Sequence, residues 1–392
     1  MRALIPMLLV LGLTACNDGE DDPNDDADTD TDTDVDMGVA VLGDEAHSMD
    51  AVNITVELDY DSGLRGPRDL AFNPERPREL WVLNRLSDTT TRLYEAGTTA
   101  QWSDTVKDPY ALHFQEEASS IDFGQPGTFG TCQESRNTYN GQGSPNDFMG
   151  PTLWPSDLDL YAESNPAAVE YLTDLFGYYT DLGSHLDMLH ESPLCMGIAW
   201  ETENRYWVFD GKNSAISMND FKEDHGPGYD DHTDGHVIRY AEGEVSRVAD
   251  VPGHMVYDHA TDIVYVADTG NNRIAALDTT SGTTGSNLAS AERYPVHRRQ
   301  DDADLWTAID GDAFGMEEPS GLLLHDGILF VGDHGTNTIH AFNMATVEAG
   351  DPVQVDWLQL DTTELMGLEI GPDGNLWVID YYNQVLKISP KE

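Results

Sequence analysis

Seven side chains able to ligate a metal fall within thirteen positions: Asp224, His225, Asp230, Asp231, His232, Asp234 and His236. His185 and His190, with Asp187 between them, lie upstream and could reach either this cluster or a second candidate site around His254. Mixed imidazole and carboxylate donors suit zinc or manganese. Asp230-x-His232-x-Asp234-Gly235 also imitates the first half of a calcium loop. The twelfth position, however, is Ala241, where such a loop needs a bidentate carboxylate. Thr233-Asp234-Gly235 is equally a turn sequence ahead of a strand at 236–240, so a solvated hairpin explains the same residues. Both readings stand at this level.

These residues sit in a chain that repeats itself. MGIAWETENRYWVFDGKN (196–213), HMVYDHATDIVYVADTGNNRI (254–274), SGLLLHDGILFVGDHGTNTI (320–339) and MGLEIGPDGNLWVIDYYNQV (366–385) share one phrase, with a degenerate copy at 68–86. A small residue opens an apolar run, a turn follows, and then comes aromatic-Val-x-Asp. Short strands with turn signals and a period of about 40–50 residues indicate a β-propeller. Val266-Ala-Asp-x-Gly-Asn-Asn-Arg-Ile274 resembles the NHL repeat, whose family fold is a six-bladed propeller. The resemblance gives five blades and implies a sixth at about 110–162, from strands near Ser119–Phe123, Thr128–Cys132 and Thr152–Tyr161. The expected class is therefore all-β, spanning 51–392, with Asn53–Leu58 closing the ring against the last blade. A helix starting at Asn165-Pro166 is expected in an insertion at about 133–194, running on toward His190, and a second insertion covers 223–240.

Propellers bind ligands at the mouth of the central channel. Aligning the repeats on their Asp puts Met196, His254 and Met366 at one equivalent position, with Ser320 one residue shifted and Arg68 near it. Their side chains are expected to converge on the axis. In the peptidylglycine-amidating lyase, which is similar in fold, histidines at such positions hold a metal; here only His254 matches. A mixed His/Met set would suit copper(I), whereas methionine at a repeat position is also ordinary core. Asp210, Asp268, Asp333 and Asp380 read as acceptors for turn amides. No nucleophile elbow, phosphate loop or dinucleotide fingerprint is present, and Gly141-Gln142-Gly143-Ser144 is only a glycine-rich turn.

The N-terminus carries its own signal. Arg2 and the apolar run Leu4–Leu13, ending in Leu13-Thr14-Ala15-Cys16, resemble a bacterial lipoprotein signal, which implies lipidation at Cys16 and attachment to the cell envelope. The segment 17–50 holds 14 acidic residues and no Lys or Arg, and is expected to be a disordered tether. The formal net charge of −52 disfavours nucleic acid as a partner. With Cys16 lipidated, Cys132 and Cys195 are the remaining pair, expected as a disulfide in an exported protein. The expected function is a monomeric, envelope-tethered module binding a ligand or protein. The alternative is a metal-dependent enzyme, a lyase or lactonase-like hydrolase, centred on His254, with calcium, zinc or copper as the candidate metals.

Overall fold

The computed structural model describes residues 38–137, 147–229, 231–290 and 292–391. Alternating strands and tight turns build six sheets in sequence order, antiparallel apart from one parallel pairing in the third. Blade one is Pro67–Phe72, Leu80–Asn84, Thr89–Tyr94 and Trp102–Val106; blade two is Ala118–Phe123, Thr128–Gln133, Thr152–Pro155 and Asp187–Met188. Blade three begins with Cys195–Thr202, blade four with Met255–Asp258, blade five with Pro319–His325 and blade six with Leu365–Ile370. These first strands touch their neighbours in a closed ring, making the fold a six-bladed β-propeller. Val52–Leu58 pairs antiparallel with Gln384–Pro390 and completes blade six, Ile54 opposite Ile388. Closure leaves no open gap in the ring of blades, where sheet edges would otherwise invite association.

The recurring phrase has a packing cause. Trp81, Trp207, Tyr265, Phe330 and Trp377, the aromatic of each copy, are all buried. Each belongs to an apolar cluster shared with the following blade, so it acts as a wedge between two sheets. The Asp three residues later ties down turn amides: Asp333 accepts from the amides of Glu317 at 3.0 Å and Glu318 at 2.7 Å. Asp268 likewise accepts from Ser246 N at 2.6 Å and Arg273 Nε at 2.7 Å.

Blade two breaks this rule. Its wedge position is Gly130, where a methyl group would stand 2.8 Å from Ile198 Cδ1 and 2.9 Å from Tyr206 Cε1. The aromatic ring comes instead from blade three. Here a Cys132–Cys195 disulfide joins the two blades across a Cα–Cα distance of 5.1 Å.

Three elements differ from expectation. The helix is Pro166–Phe176, with the Asn165 side chain accepting from Ala167 N, but it stops at Gly177 in the left-handed region at φ 77° and does not continue toward His190. Residues 38–50, expected as tether, pack on the closing side: Val41 and Leu42 are buried against blades five and six, and Asp356 Oδ2 accepts the amides of Val39 at 3.2 Å and Glu45 at 3.1 Å. The rest of that segment and Cys16 lie outside the described residues. Finally, Thr283–Asn287 and Val296–Asp301 form a hairpin inserted in blade four that extends blade three, Val296–Asp301 running parallel to His236–Tyr240.

Reducing the disulfide, or replacing both cysteines by serine, should lower stability by about 2–4 kcal/mol for a loop of this length. Thermal melting with and without reductant measures it; unchanged melting would remove the staple from the set of stabilising contacts.

Candidate functional site

The first strands of the blades surround a central channel with a cavity of 540 Å³. Four carboxyl residues line it: Glu369 from blade six, Asp69 from blade one and Asp122 from blade two, on adjacent blades, and Asp258 from blade four, which is engaged by Ala260 N and Thr261 Oγ1. Among the described residues, no Lys or Arg lines the cavity. Asp69 is the best satisfied, its Oδ2 accepting from Ser120 Oγ at 2.8 Å and Ile121 N at 2.8 Å. His254 stands behind it, with Nε2 at 3.5 Å from Asp69 Oδ2 and 3.2 Å from Ser119 O. Asp122 accepts the amide of Trp200 at 2.7 Å, and Glu369 accepts its neighbour's, Ile370, at 3.0 Å.

Removing these carboxyls from bulk water disfavours their charged forms, and neighbouring acids add repulsion. Burial raises Asp69 above the usual range, against the pull of His254. Burial, with the Asp69 charge, pushes Asp122 up to about 7. Burial, with Asp122 and Asp69, pushes Glu369 up to about 8. At neutral pH the channel therefore holds protons that a cation could displace. Trp200, Tyr257 and His259 form an aromatic rim, the His259 ring tilted against Trp200 at 5.5 Å between centroids and edge-on to Tyr257 at 4.9 Å.

Of the residues expected at the channel mouth, only His254 lines this cavity. Met196 lies in the core between blades three and four, and Met366 in that between blades six and one. Ser320 is buried, its Oγ 3.3 Å from both Gly332 O and Leu365 O. Arg68 is buried too and points to Glu134, with Nη2 at 2.8 Å from Oε2. The cause is close packing where the first strands begin. A methyl group at Gly197 would sit 2.1 Å from Gly253 O, and one at Gly367 would sit 2.5 Å from Asp69 Oδ1. Side chains beside such contacts turn sideways between blades, so the expected convergence on the axis does not occur.

The histidines of the second set gather elsewhere, at the outer edge of blade two. One ligand atom each from Asp187, His225 and Asp234 lie within 4.8 Å of one another. His232 Nδ1 donates to Asp187 Oδ1 at 2.6 Å, and His225 Nε2 donates to Asp234 Oδ1 at 2.9 Å. His190 and His185 follow, their ring centroids 5.6 Å and 6.0 Å from that of His232. His113, which sequence reasoning missed, stands 5.9 Å from His190. Burial, with neighbouring imidazoles, holds His190 well below the ordinary histidine range. His190 and His232 line an adjoining cavity of 590 Å³ walled by Tyr110, Phe114, Phe148 and Tyr178. His236 is outside the triad, Asp224 and Asp231 only cap turns at the Gly226 and Thr233 amides, and Asp230 lies outside the described residues.

A six-bladed propeller with an acidic channel is thus the class that fold and site define. No family model matches the sequence, and no curated protein is detected as a relative. Among solved structures, an auxiliary nutrient binding protein from Bacteroides thetaiotaomicron is similar at TM-score 0.52 and 10% identity, over 86% of this chain and 76% of that one. A luciferin-regenerating enzyme is similar at TM-score 0.51 and 12% identity, over 86% of this chain and 95% of that one. At such identity the likeness extends to the fold.

The channel acids predict a pH dependence of stability. Glu369 titrates at about 8 in the folded protein against an ordinary value of 4.5. Its protonated form contributes fully below pH 4.5, and that contribution is lost as pH rises through about 8, because there the unfolded chain has already released the proton. Glu369→Gln should therefore melt like the wild type at pH 4 and be more stable by roughly 1–3 kcal/mol at pH 9. A variant with the wild-type pH profile would show that this carboxyl ionises freely.

Proposed function

We propose that the protein is an exported binding propeller whose ligand enters the central channel through a divalent cation held by Asp122 and Glu369, with Asp69 and His254 behind them. The observation that carries this is the meeting of buried Asp69 with half-buried Asp122 and Glu369, from three blades, in a cavity on whose wall no Lys or Arg stands among the described residues. Carboxylate oxygens are hard ligands, so calcium is the cation the channel suits best. His254 sits against Asp69 and orients it; the ring at Trp200 offers apolar faces to whatever the cation presents. The repeats support reading the chain as NHL-type. The signal resembling a lipoprotein leader supports a tether to the envelope through Cys16, which would place the channel where extracellular ligands arrive.

A second reading has one observation in its favour. Carboxyls titrating at about 7 and about 8 can give and take protons near neutrality, as a general acid and base must. A lyase or lactonase-like hydrolase would use them so. The fold carries binding proteins and enzymes alike and does not decide between the two.

Calorimetric titration of the chelator-treated protein with calcium chloride should give one saturable site and release protons at pH 7. Glu369→Gln and Asp122→Asn should each weaken it at least tenfold without lowering the melting temperature. Absence of saturable binding in the wild type would end the cation reading, and turnover of a lactone panel lost in Glu369→Gln would favour the enzyme. For the anchor, Cys16→Ser should move the protein from the membrane to the soluble fraction; retention on the membrane would exclude lipidation as the tether.

A further inference from the structure

We propose that Asp187, His225 and Asp234 form a second cation site, separate from the channel and selective for a first-row divalent ion of the zinc class. The three donor atoms already lie within 4.8 Å of one another, and a single bound ion would draw them closer with small side-chain movements. The chain brings them from two insertions: Asp187 from the short last strand of blade two, and His225 and Asp234 from the connection before the last strand of blade three.

Proximity of acids alone would prove little, because exposed carboxylates cluster on any acidic surface. Asp187 is different. It is fully buried, and its two oxygens are treated unequally. Oδ1 accepts from His232 Nδ1 at 2.6 Å and from the Met188 amide at 2.6 Å. Oδ2 is buried with no hydrogen-bond partner. A carboxylate oxygen left so pays a desolvation penalty that proteins rarely tolerate without a counter-charge. No Lys or Arg supplies one: among the described residues the ionic partner of Asp187 is His232, and that of Asp234 is His225. A cation seated between Asp187 and Asp234 would satisfy that oxygen and neutralise both acids.

The donor chemistry selects the ion. Two carboxylates and one imidazole, with positions left for water, match zinc and manganese. Calcium wants six to eight oxygens, and copper(I) wants sulfur, neither of which this set offers. His232 acts one step back. By donating to Oδ1 it fixes the carboxylate plane, as partners beyond the ligands do at metal centres. Its ring also lines the aromatic cavity beside it, so the ion would sit at the edge of a second pocket.

Zinc sulfate is the probe. Chelator-treated protein is titrated in competition with a chromophoric indicator, with calcium present in excess to occupy the channel, and melting is followed in parallel. The wild type should bind one zinc per chain and melt higher with it, by mass action on the folded state. His225→Ala and the partly exposed Asp234→Asn should each weaken zinc binding at least tenfold, while melting like the wild type in chelator. Asp187→Asn should abolish it. His236→Ala and Glu369→Gln should bind zinc as the wild type does. Wild-type affinity in both His225→Ala and Asp234→Asn, equal loss in His236→Ala, or no saturable zinc binding at all would each overturn the proposal.

Discussion

Everything in the molecule depends on the pairing of Val52–Leu58 with Gln384–Pro390. A twisted four-stranded sheet can stack on a neighbour at many angles; six of them share an axis only if the last meets the first. The channel exists because that meeting is enforced by antiparallel backbone bonds between chain ends more than three hundred residues apart. Glu369 and Asp69 illustrate the consequence. They are far apart in sequence, on the last and first blades, yet they share one cavity with Asp122 because the ring is closed. Three carboxyls that would be ordinary surface acids in an open array become desolvated neighbours with raised pKa values.

The second constraint is how closely the first strands approach the axis. Gly197, Gly321 and Gly367 follow the repeat positions Met196, Ser320 and Met366, and each would collide with the next strand if it carried a side chain. The small residue that opens each copy of the repeat is therefore a packing device. It lets adjacent first strands come into contact, and it turns the preceding side chain into the inter-blade core. Chemistry is left mainly to positions further along those strands, where Asp122, Trp200 and Glu369 face the cavity, while Asp69 occupies the glycine position itself in blade one.

Five blades and the closing strand were legible because wedge and cap recur: an aromatic ring packed on the next blade, then an Asp or Asn at the turn. Blade two was legible only by elimination. Gly130 replaces its wedge and Gln133 its Asp, the latter donating to Phe114 O at 2.8 Å where the others accept. The hairpin at 283–301 escaped notice because its strands are largely polar, the first exposed and the second mostly half-buried. Among site residues, His254 was found through its repeat position, and the cluster around His225, His232 and Asp234 through its density. Asp69, Asp122 and Glu369 were missed, although Asp122 and Glu369 each stand between two apolar residues, in Ile121-Asp122-Phe123 and Leu368-Glu369-Ile370, and that anomaly was the available signal. Nothing in the sequence joined Asp187 to His225: they meet through two insertions whose mutual placement no local pattern encodes.

The cation reading of the channel is best tested by an experimental structure of crystals soaked in manganese, collected at a wavelength where the ion scatters anomalously. The expected result is a peak inside the ring, within coordination distance of at least two of the carboxyls of Asp69, Asp122 and Glu369. An ordered channel with no peak, and with those carboxyls bonded instead to water or to each other, would contradict it.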